Sequence, residues 1–355
     1  MSDRLTRLLA ERPFLLADGA TGTNLFDAGL QSGDAPELWN FEHPERIEKL
    51  HRDMIAAGAD IILTNSFGGT RYRLKLHGAE GRVTEINQQA ARLARRVADD
   101  ESAKRGRTVL VAGSMGPSGE LFEPLGPLTI AEGAAAFAEQ ARALVAGGAD
   151  VLWIETMSSK DELEAAVQGA ASTGEPFVCT MSFDTNGRTM MGITPSQVAH
   201  LCHALTPRPV AFGANCGTGA AELVAALVNM APGRAADDVI VANGNCGVPY
   251  YEAGKIKYDG TPELMAEYAR MVRDAGARII GGCCGTTPAH LAAIRAALDD
   301  YSPRAAPTLE EIGRRLGRLS DGTAQLSAGE TSDGDAARRR ARRRRGDENA
   351  AGPAA

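Results

Sequence analysis

The chain has 355 residues, 44% of them hydrophobic, and a formal charge of −7, so it can bury a large core but has the wrong sign for a nucleic-acid binder, whose phosphate contacts need a basic surface. Seven Arg within residues 331–355 face four acids there, a local +3 that leaves −10 for the body. No apolar run approaches the ~20 residues of a membrane span, and Met1 to Arg12 mixes Asp3, Arg4, Arg7 and Glu11 with leucines instead of presenting a signal peptide's apolar stretch, which predicts a cytoplasmic protein with no membrane partner.

Short apolar or β-branched runs alternate with Ala-rich stretches of helical period. Eight strands are predicted: Phe14 to Ala17, Asp60 to Leu63, Thr108 to Ala112, Asp150 to Ile154, Phe177 to Met181, Val210 to Gly213, Val239 to Ala242 and Arg278 to Gly281. Helices are predicted between them at His43 to Ala57, Val83 to Lys104, Ile130 to Ala146, Ser159 to Ser172, Pro195 to Ala204, Ala220 to Asn229, Pro262 to Asp274 and Pro288 to Leu298. Several begin with Pro, whose missing N–H costs nothing in a first turn. Gly58, Gly148, Gly174 and Gly276 stand where helices should stop. Repeated β-α units of this number predict an α/β fold, the closed (β/α)8 barrel of the triosephosphate isomerase type. A doubly wound sheet would show a dinucleotide fingerprint after its first strand, which Asp18-Gly19-Ala20-Thr21-Gly22-Thr23 does not match. The expected domains are a barrel over residues 1–320 and a disordered tail over 321–355, where Gly, Ser, Asp and Arg replace the apolar period; its cluster from Arg338 to Arg345 reads as a solvated run.

Active sites of such barrels sit at the carboxyl ends of the strands. Here those ends carry Asp18, Thr64-Asn65, Ser114, Glu155-Thr156, Ser182, Asn215-Cys216, Asn243-Gly244-Asn245-Cys246 and Cys283-Cys284. Six cysteines without an export signal do not suggest a disulfide framework. Cys216, at the end of strand six, and Cys283 and Cys284, in a Gly-flanked turn after strand eight, can converge over the barrel mouth, because glycines break the strand's alternation of faces. Three thiolates with one open position describe a reactive zinc site, soft ligands favouring that metal. Cys179 and Cys202, mid-strand and in a helix, read as small core residues. Asp18 and Glu155 either cap helices or hold a substrate ammonium, and the absence of Lys or Arg at the strand ends favours the latter. None of the six His falls at a strand end.

These motifs resemble the homocysteine S-methyltransferase family, which includes betaine-homocysteine methyltransferase and the homocysteine module of cobalamin-dependent methionine synthase. The resemblance runs from about Phe14 to Leu298 and rests on Asp18-Gly19-Ala20-Thr21-Gly22-Thr23, Thr64-Asn65-Ser66-Phe67-Gly68, Gly113 to Gly119, Glu155-Thr156, Gly213 to Cys216 and, above all, Gly281-Gly282-Cys283-Cys284-Gly285-Thr286-Thr287-Pro288. It implies that Cys216, Cys283 and Cys284 bind Zn2+, with Asn245 as a displaceable fourth ligand. It further implies that Asp18 and Glu155 contact the homocysteine ammonium and that backbone amides around Gly19, Ala20 and Thr21 lie near its carboxylate. Zinc would deprotonate the substrate thiol, which then attacks the methyl carbon of a donor.

For the donor, the resemblance implies a small molecule, first of all glycine betaine, as in a betaine-homocysteine S-methyltransferase. Trp39 is similar to a cage tryptophan of that enzyme, and Phe67, Tyr72, Phe122, Phe183, Tyr250 and Tyr251 are further rim aromatics for a trimethylammonium. Two departures stand against it: Thr156 occupies the place of a tyrosine after strand four, and Gly68 or Gly69 that of one after strand two. S-methylmethionine or a separate methylated corrinoid protein, as in a split methionine synthase, are the alternative donors, since the motif from Gly116 to Gly126 looks closer to that module; the chain's ending in a tail, with no folate or cobalamin domain, argues for the small donor. Relatives often associate, so a homo-oligomer is expected. A zinc-binding scaffold without enzyme activity is the remote alternative.

Overall fold

The computed structural model describes residues 3–252 and 255–327. Eight parallel strands form the wall of a barrel: β1 (Leu15–Leu16), β2 (Ile61–Leu63), β3 (Leu110–Met115), β4 (Val151–Met157), β5 (Phe177–Met181), β6 (Ala211–Cys216), β7 (Ile240–Gly244) and, after a two-stranded antiparallel hairpin of β8 (Pro249–Glu252) and β9 (Lys255–Tyr258), β10 (Ala277–Gly282). The sheet order is β1-β10-β7-β6-β5-β4-β3-β2, and a parallel bridge from Ala17 to Ile61 joins its two ends into a ring. The expected α/β barrel is therefore the observed one, with all eight strands at the predicted runs.

The helices are α1 (Arg4–Glu11), α2 (Gly22–Asp27), α3 (Trp39–Glu42), α4 (Pro44–Ala56), α5 (Arg71–Leu74), α6 (Val83–Arg105), α7 (Ile130–Gly147), α8 (Lys160–Ala171), α9 (Pro195–Ala204), α10 (Ala220–Met230), α11 (Pro262–Asp274), α12 (Pro288–Leu298), α13 (Leu309–Leu316) and α14 (Asp321–Ser327). Local chemistry sets many of their ends. Thr129 with Glu132 and Thr194 with Gln197 form capping boxes, and Pro opens α4, α9, α11 and α12. Gly58 and Gly148 follow α4 and α7 at φ of 113° and 105°, a left-handed conformation only glycine adopts without strain.

Two cores result. Phe137, Leu144, Leu152 and their neighbours pack the helices on the outside of the wall, whereas Leu15, Ile61, Leu110, Val151, Trp153, Val178, Val241 and Ile279 fill the inside. Helix α1 belongs to the inside core. Asp3 caps it through the Thr6 N–H, and Leu5, Leu8 and Leu9, on one helical face, plug the barrel at the end away from the predicted site. Each buried leucine contributes roughly 1.5–3 kcal/mol.

The same end carries a buried ion cluster. Asp60, 1% exposed, accepts from Arg12 at 2.7 Å, Arg107 at 3.0 Å, Arg295 at 2.5 Å and the Leu16 N–H at 2.9 Å. Asp60→Asn strands three guanidinium groups beside a neutral amide. It is expected to lower unfolding stability by about 3–5 kcal/mol in urea denaturation, while the metal content of the folded fraction stays that of wild type.

The expected tail begins differently from its sequence reading. Residues 321–327 are helix α14, anchored where Thr323 Oγ1 donates to Glu222 at 2.5 Å and the Ser320 N–H donates to the same carboxylate at 2.6 Å. A polar, Gly-containing segment becomes helical through this long-range contact with α10, so the boundary at 321 comes too early. The remainder of the tail, including Arg338 to Arg345, lies outside the described residues. Among the described residues no helix is long and apolar enough to cross a membrane.

Candidate metal centre

The sequence turns sharply at the ends of β6 and β10. Cys216 has φ of 59° and Gly217 φ of 76°, so the chain leaves β6 in a left-handed turn. After β10, a Cβ on Gly282 would lie 2.3 Å from Thr286, and one on Gly285 would lie 2.4 Å from the Tyr258 ring, so close approach excludes any side chain at either position. The Cys283 N–H donates to Gly244 O at 2.7 Å, the Thr286 N–H to Cys283 O at 3.1 Å and the Cys246 N–H to Cys284 O at 2.9 Å, which fixes the turn against the end of β7.

These turns bring Cys216, Cys283 and Cys284 together, their sulfurs all within 4.8 Å of one another. Sulfurs bound at about 2.3 Å to a tetrahedral zinc lie roughly 3.8 Å apart, so a small contraction would close the cluster on a metal. A second observation fits. Asn245 is 3% exposed, its amide donates to Gly217 O at 2.6 Å, and its Oδ1 is buried with no hydrogen-bond partner. A buried carbonyl oxygen without a donor is costly unless something electropositive meets it.

The cluster is electrostatically coupled. Hydrogen bonds from Cys216, then Cys283, hold the Cys284 thiol far below its ordinary range, with the Tyr258 hydroxyl also donating to it. Against the lowering effect of a bond from Cys283, the bond to Cys284 and burial push Cys216 up. Cys283 rises through its bonds to Cys216 and Cys284 and through burial. Three thiols that exchange hydrogen bonds at this separation are soft donors of the kind that bind a divalent cation such as zinc.

The other predicted residues separate. Asp18, 4% exposed, accepts the Leu63 N–H at 2.8 Å, and Glu155, 8% exposed, accepts from Ser114 Oγ at 2.5 Å. Burial raises Asp18 well above the usual carboxylate range and Glu155 to about 7, and the Glu155 charge pushes Asp18 further up. Neither caps a helix. Two buried carboxylates with few donors are suited to an ammonium ligand. Ala20 is less free than expected, because its N–H already donates to Thr286 O at 3.2 Å, leaving Gly19 and Thr21 as the backbone candidates.

Trp39 is not delivered to the mouth as an open cage wall. It is 4% exposed and packs with Leu25, Leu30, Ile47 and Leu93. The His43 ring meets it at 4.6 Å and the Arg46 guanidinium sits 4.9 Å from its centroid, so this ring already has a cation. Phe122 and Phe183 are also buried, whereas Phe67 and Tyr250 are 39% and 45% exposed; the Tyr251 side chain lies outside the described part of the structure. Cys179 and Cys202 are buried in the outer core, and Cys246 donates its thiol to Gly260 O at 3.2 Å, away from the cluster.

Two features escaped sequence reasoning. Tyr258 reaches Cys284 from the β8-β9 hairpin, whose local sequence carries no sign of that contact. Thr156 has φ of 64°, a genuine outlier for a β-branched residue that costs about 1–3 kcal/mol. It is held there by Asn215, with the Thr156 N–H donating to Asn215 Oδ1 at 2.8 Å and Asn215 Nδ2 to Thr156 Oγ1 at 2.7 Å.

Known proteins bear on this geometry. Over 309 residues the chain is 34% identical to a methionine synthase of Mycobacterium tuberculosis H37Rv, covering 83% of this chain and 25% of that protein. A Mycobacterium leprae methionine synthase is 32% identical with the same coverage. The chain thus spans about a quarter of the length of the curated relatives it matches. Among solved structures, the metallated form of the homocysteine methyltransferase MmuM from Escherichia coli superposes with a TM-score of 0.69 at 28% identity, covering 82% of this chain and 99% of that one. The model of the family described as homocysteine S-methyltransferase matches residues 15–298, the span that contains all eight barrel strands and the three clustered cysteines. The chain belongs to the homocysteine S-methyltransferase family.

Proposed function

We propose that this chain transfers a methyl group to the sulfur of homocysteine, giving methionine, with a zinc ion held by Cys216, Cys283 and Cys284. The observation that carries the reading is the juxtaposition of three sulfurs within 4.8 Å with two buried carboxylates, Asp18 after β1 and Glu155 on β4, on the same rim of the barrel. Bound there, zinc would lower the pKa of a fourth, substrate thiol and keep it as an electron-rich thiolate at neutral pH. Asp18 and Glu155 hold the ammonium, which fixes the substrate's far end. Asn245, whose buried Oδ1 has no hydrogen-bond partner, would be the fourth, displaceable ligand that gives way to the substrate sulfur. The buried floor excludes bulk water around the nucleophile, and in-line approach of the donor methyl is set by this anchoring.

Glycine betaine is the donor we assign first. A zinc ion held by three thiolates would carry a net −1, which favours a donor whose methyl is carried on a cation. Phe67 and Tyr250 leave exposed aromatic surface on the rim for a trimethylammonium, in place of the enclosed Trp39. The similarity to methionine synthases supports a second reading, in which a methylated corrinoid protein delivers the methyl group. Methionine formation is expected when the zinc-loaded protein receives homocysteine and betaine. Turnover with S-methylmethionine alone, or with a methylated corrinoid protein alone, would replace betaine while leaving the thiol acceptor in place.

A further inference from the structure

We infer that Asn215 is a positioning residue that joins the two ends of the substrate site, setting the metal-binding sulfurs and the ammonium-binding carboxylate with one side chain. Its amide is 1% exposed, and all four of its hydrogen-bonding valences are used. Oδ1 accepts the Thr156 N–H at 2.8 Å and the Thr180 hydroxyl at 2.7 Å. Nδ2 donates to Thr156 Oγ1 at 2.7 Å and points an N–H at Cys283 Sγ, 3.9 Å away. From β6 the side chain therefore reaches β4, β5 and the turn after β10. The backbone N–H of Thr156 can only meet an acceptor, so the amide cannot flip, and Nδ2 is obliged to face the sulfur.

Each contact has a consequence for the site. Thr156 directly follows Glu155, so the clamp that holds Thr156 in its left-handed conformation also fixes the direction in which β4 delivers the Glu155 carboxylate. Asn215 directly precedes Cys216, whose own φ is left-handed, so the same residue anchors the turn that swings this thiol over the mouth. An N–H aimed at sulfur binds a metal-bound thiolate more strongly than a thiol, because the acceptor then carries charge. Partners of this kind around metal ligands typically govern metal affinity by roughly 10–100-fold.

The ammonium half of this inference rests on homocysteine as the substrate; the metal half does not. The experiment uses the full-length protein with Asn215→Ala and, as a near-isosteric companion that leaves Oδ1 without its hydroxyl donor, Thr180→Val. Zinc affinity is measured by competition with a chromophoric chelator. Binding of homocysteine and of its des-amino analogue 4-mercaptobutyrate is measured by titrating the cobalt-substituted proteins. Zinc affinity is expected to fall about 10–100-fold in Asn215→Ala and less, in the same direction, in Thr180→Val. Homocysteine binding is expected to weaken more than that of 4-mercaptobutyrate, because only the former uses Glu155. Unchanged zinc affinity in folded variants overturns the inference, and equal weakening of both thiols overturns the joint between the two ends. Wild-type protein that binds zinc in an Asn215-dependent way yet methylates homocysteine from no donor would remove the proposed function alone.

Discussion

Cys284→Ala is expected to empty the metal centre and to end methyl transfer with it. Structural zinc in four-ligand zinc-finger peptides is bound by about 10–16 kcal/mol, so one ligand is worth roughly 2.5–4 kcal/mol, or ~10²–10³ in affinity. The consequence should be sharper at Cys284 than the ligand count alone suggests. Cys284 is also the sulfur that accepts hydrogen bonds from Cys216, Cys283 and the Tyr258 hydroxyl, so the substitution removes the atom on which the cluster's donors converge. Metal per chain after dialysis against a weak chelator should fall from about one to near zero, with the far-ultraviolet spectrum unchanged, because Cys284 lies in a turn outside both apolar cores. Cys202→Ala, in the outer core on α9, serves as the control and should retain its metal. A Cys284→Ala protein that keeps stoichiometric zinc and full activity would sink the three-sulfur mechanism.

The parts of this arrangement legible in the sequence are those written locally. A strand buried on both faces is a short apolar run, and the polar residue that ends it marks the rim, which is why Asp18, Glu155, Cys216 and Cys283-Cys284 could be placed before any coordinates. The glycines around Cys283 and Cys284 were equally readable as a break in the strand's alternation, and the structure adds that a Cβ on Gly282 or Gly285 would run into Thr286 or Tyr258. Long-range packing was not readable. Trp39 has the spacing of a rim residue, but Arg46, Ile47 and Leu93 on later helices enclose it. The plug α1 shows an amphipathic pattern too short to announce that it fills a barrel, and α14 owes its order to Glu222, about a hundred positions earlier in the chain. The left-handed Thr156 had no local signal at all, because β-branched residues resist that conformation; only Asn215, on another strand, explains it.

Glu155 ties substrate recognition to stability with opposite signs. Burial lifts its carboxyl from 4.5 to about 7, against the hydrogen bond from Ser114, and the nearby Cys216 adds to the lift. The folded-state pKa is thus above the unfolded one, so between these values the folded protein holds a proton the unfolded chain has released. Its contribution favours folding fully below about 4.5 and is lost as pH rises through 7, a change of about 3 kcal/mol at most. Recognition runs the other way, because only the ionised carboxylate pairs with an ammonium. The homocysteine KM of the wild type is therefore expected to fall as pH rises through about 7, while the metal-free protein loses urea resistance over the same interval. Glu155→Gln keeps an oxygen for Ser114 and removes the buried charge. It should be more stable than wild type at pH 8, show no stability change across neutrality from this group, and raise the homocysteine KM by roughly 10–150-fold through loss of a charged hydrogen bond of about 1.5–3 kcal/mol. Because the substrate thiol also ionises with pH, the comparison of the two KM profiles, not either profile alone, isolates Glu155. A Gln variant with the wild-type KM at every pH would remove this carboxylate from the ammonium site and leave Asp18 to hold the cation by itself.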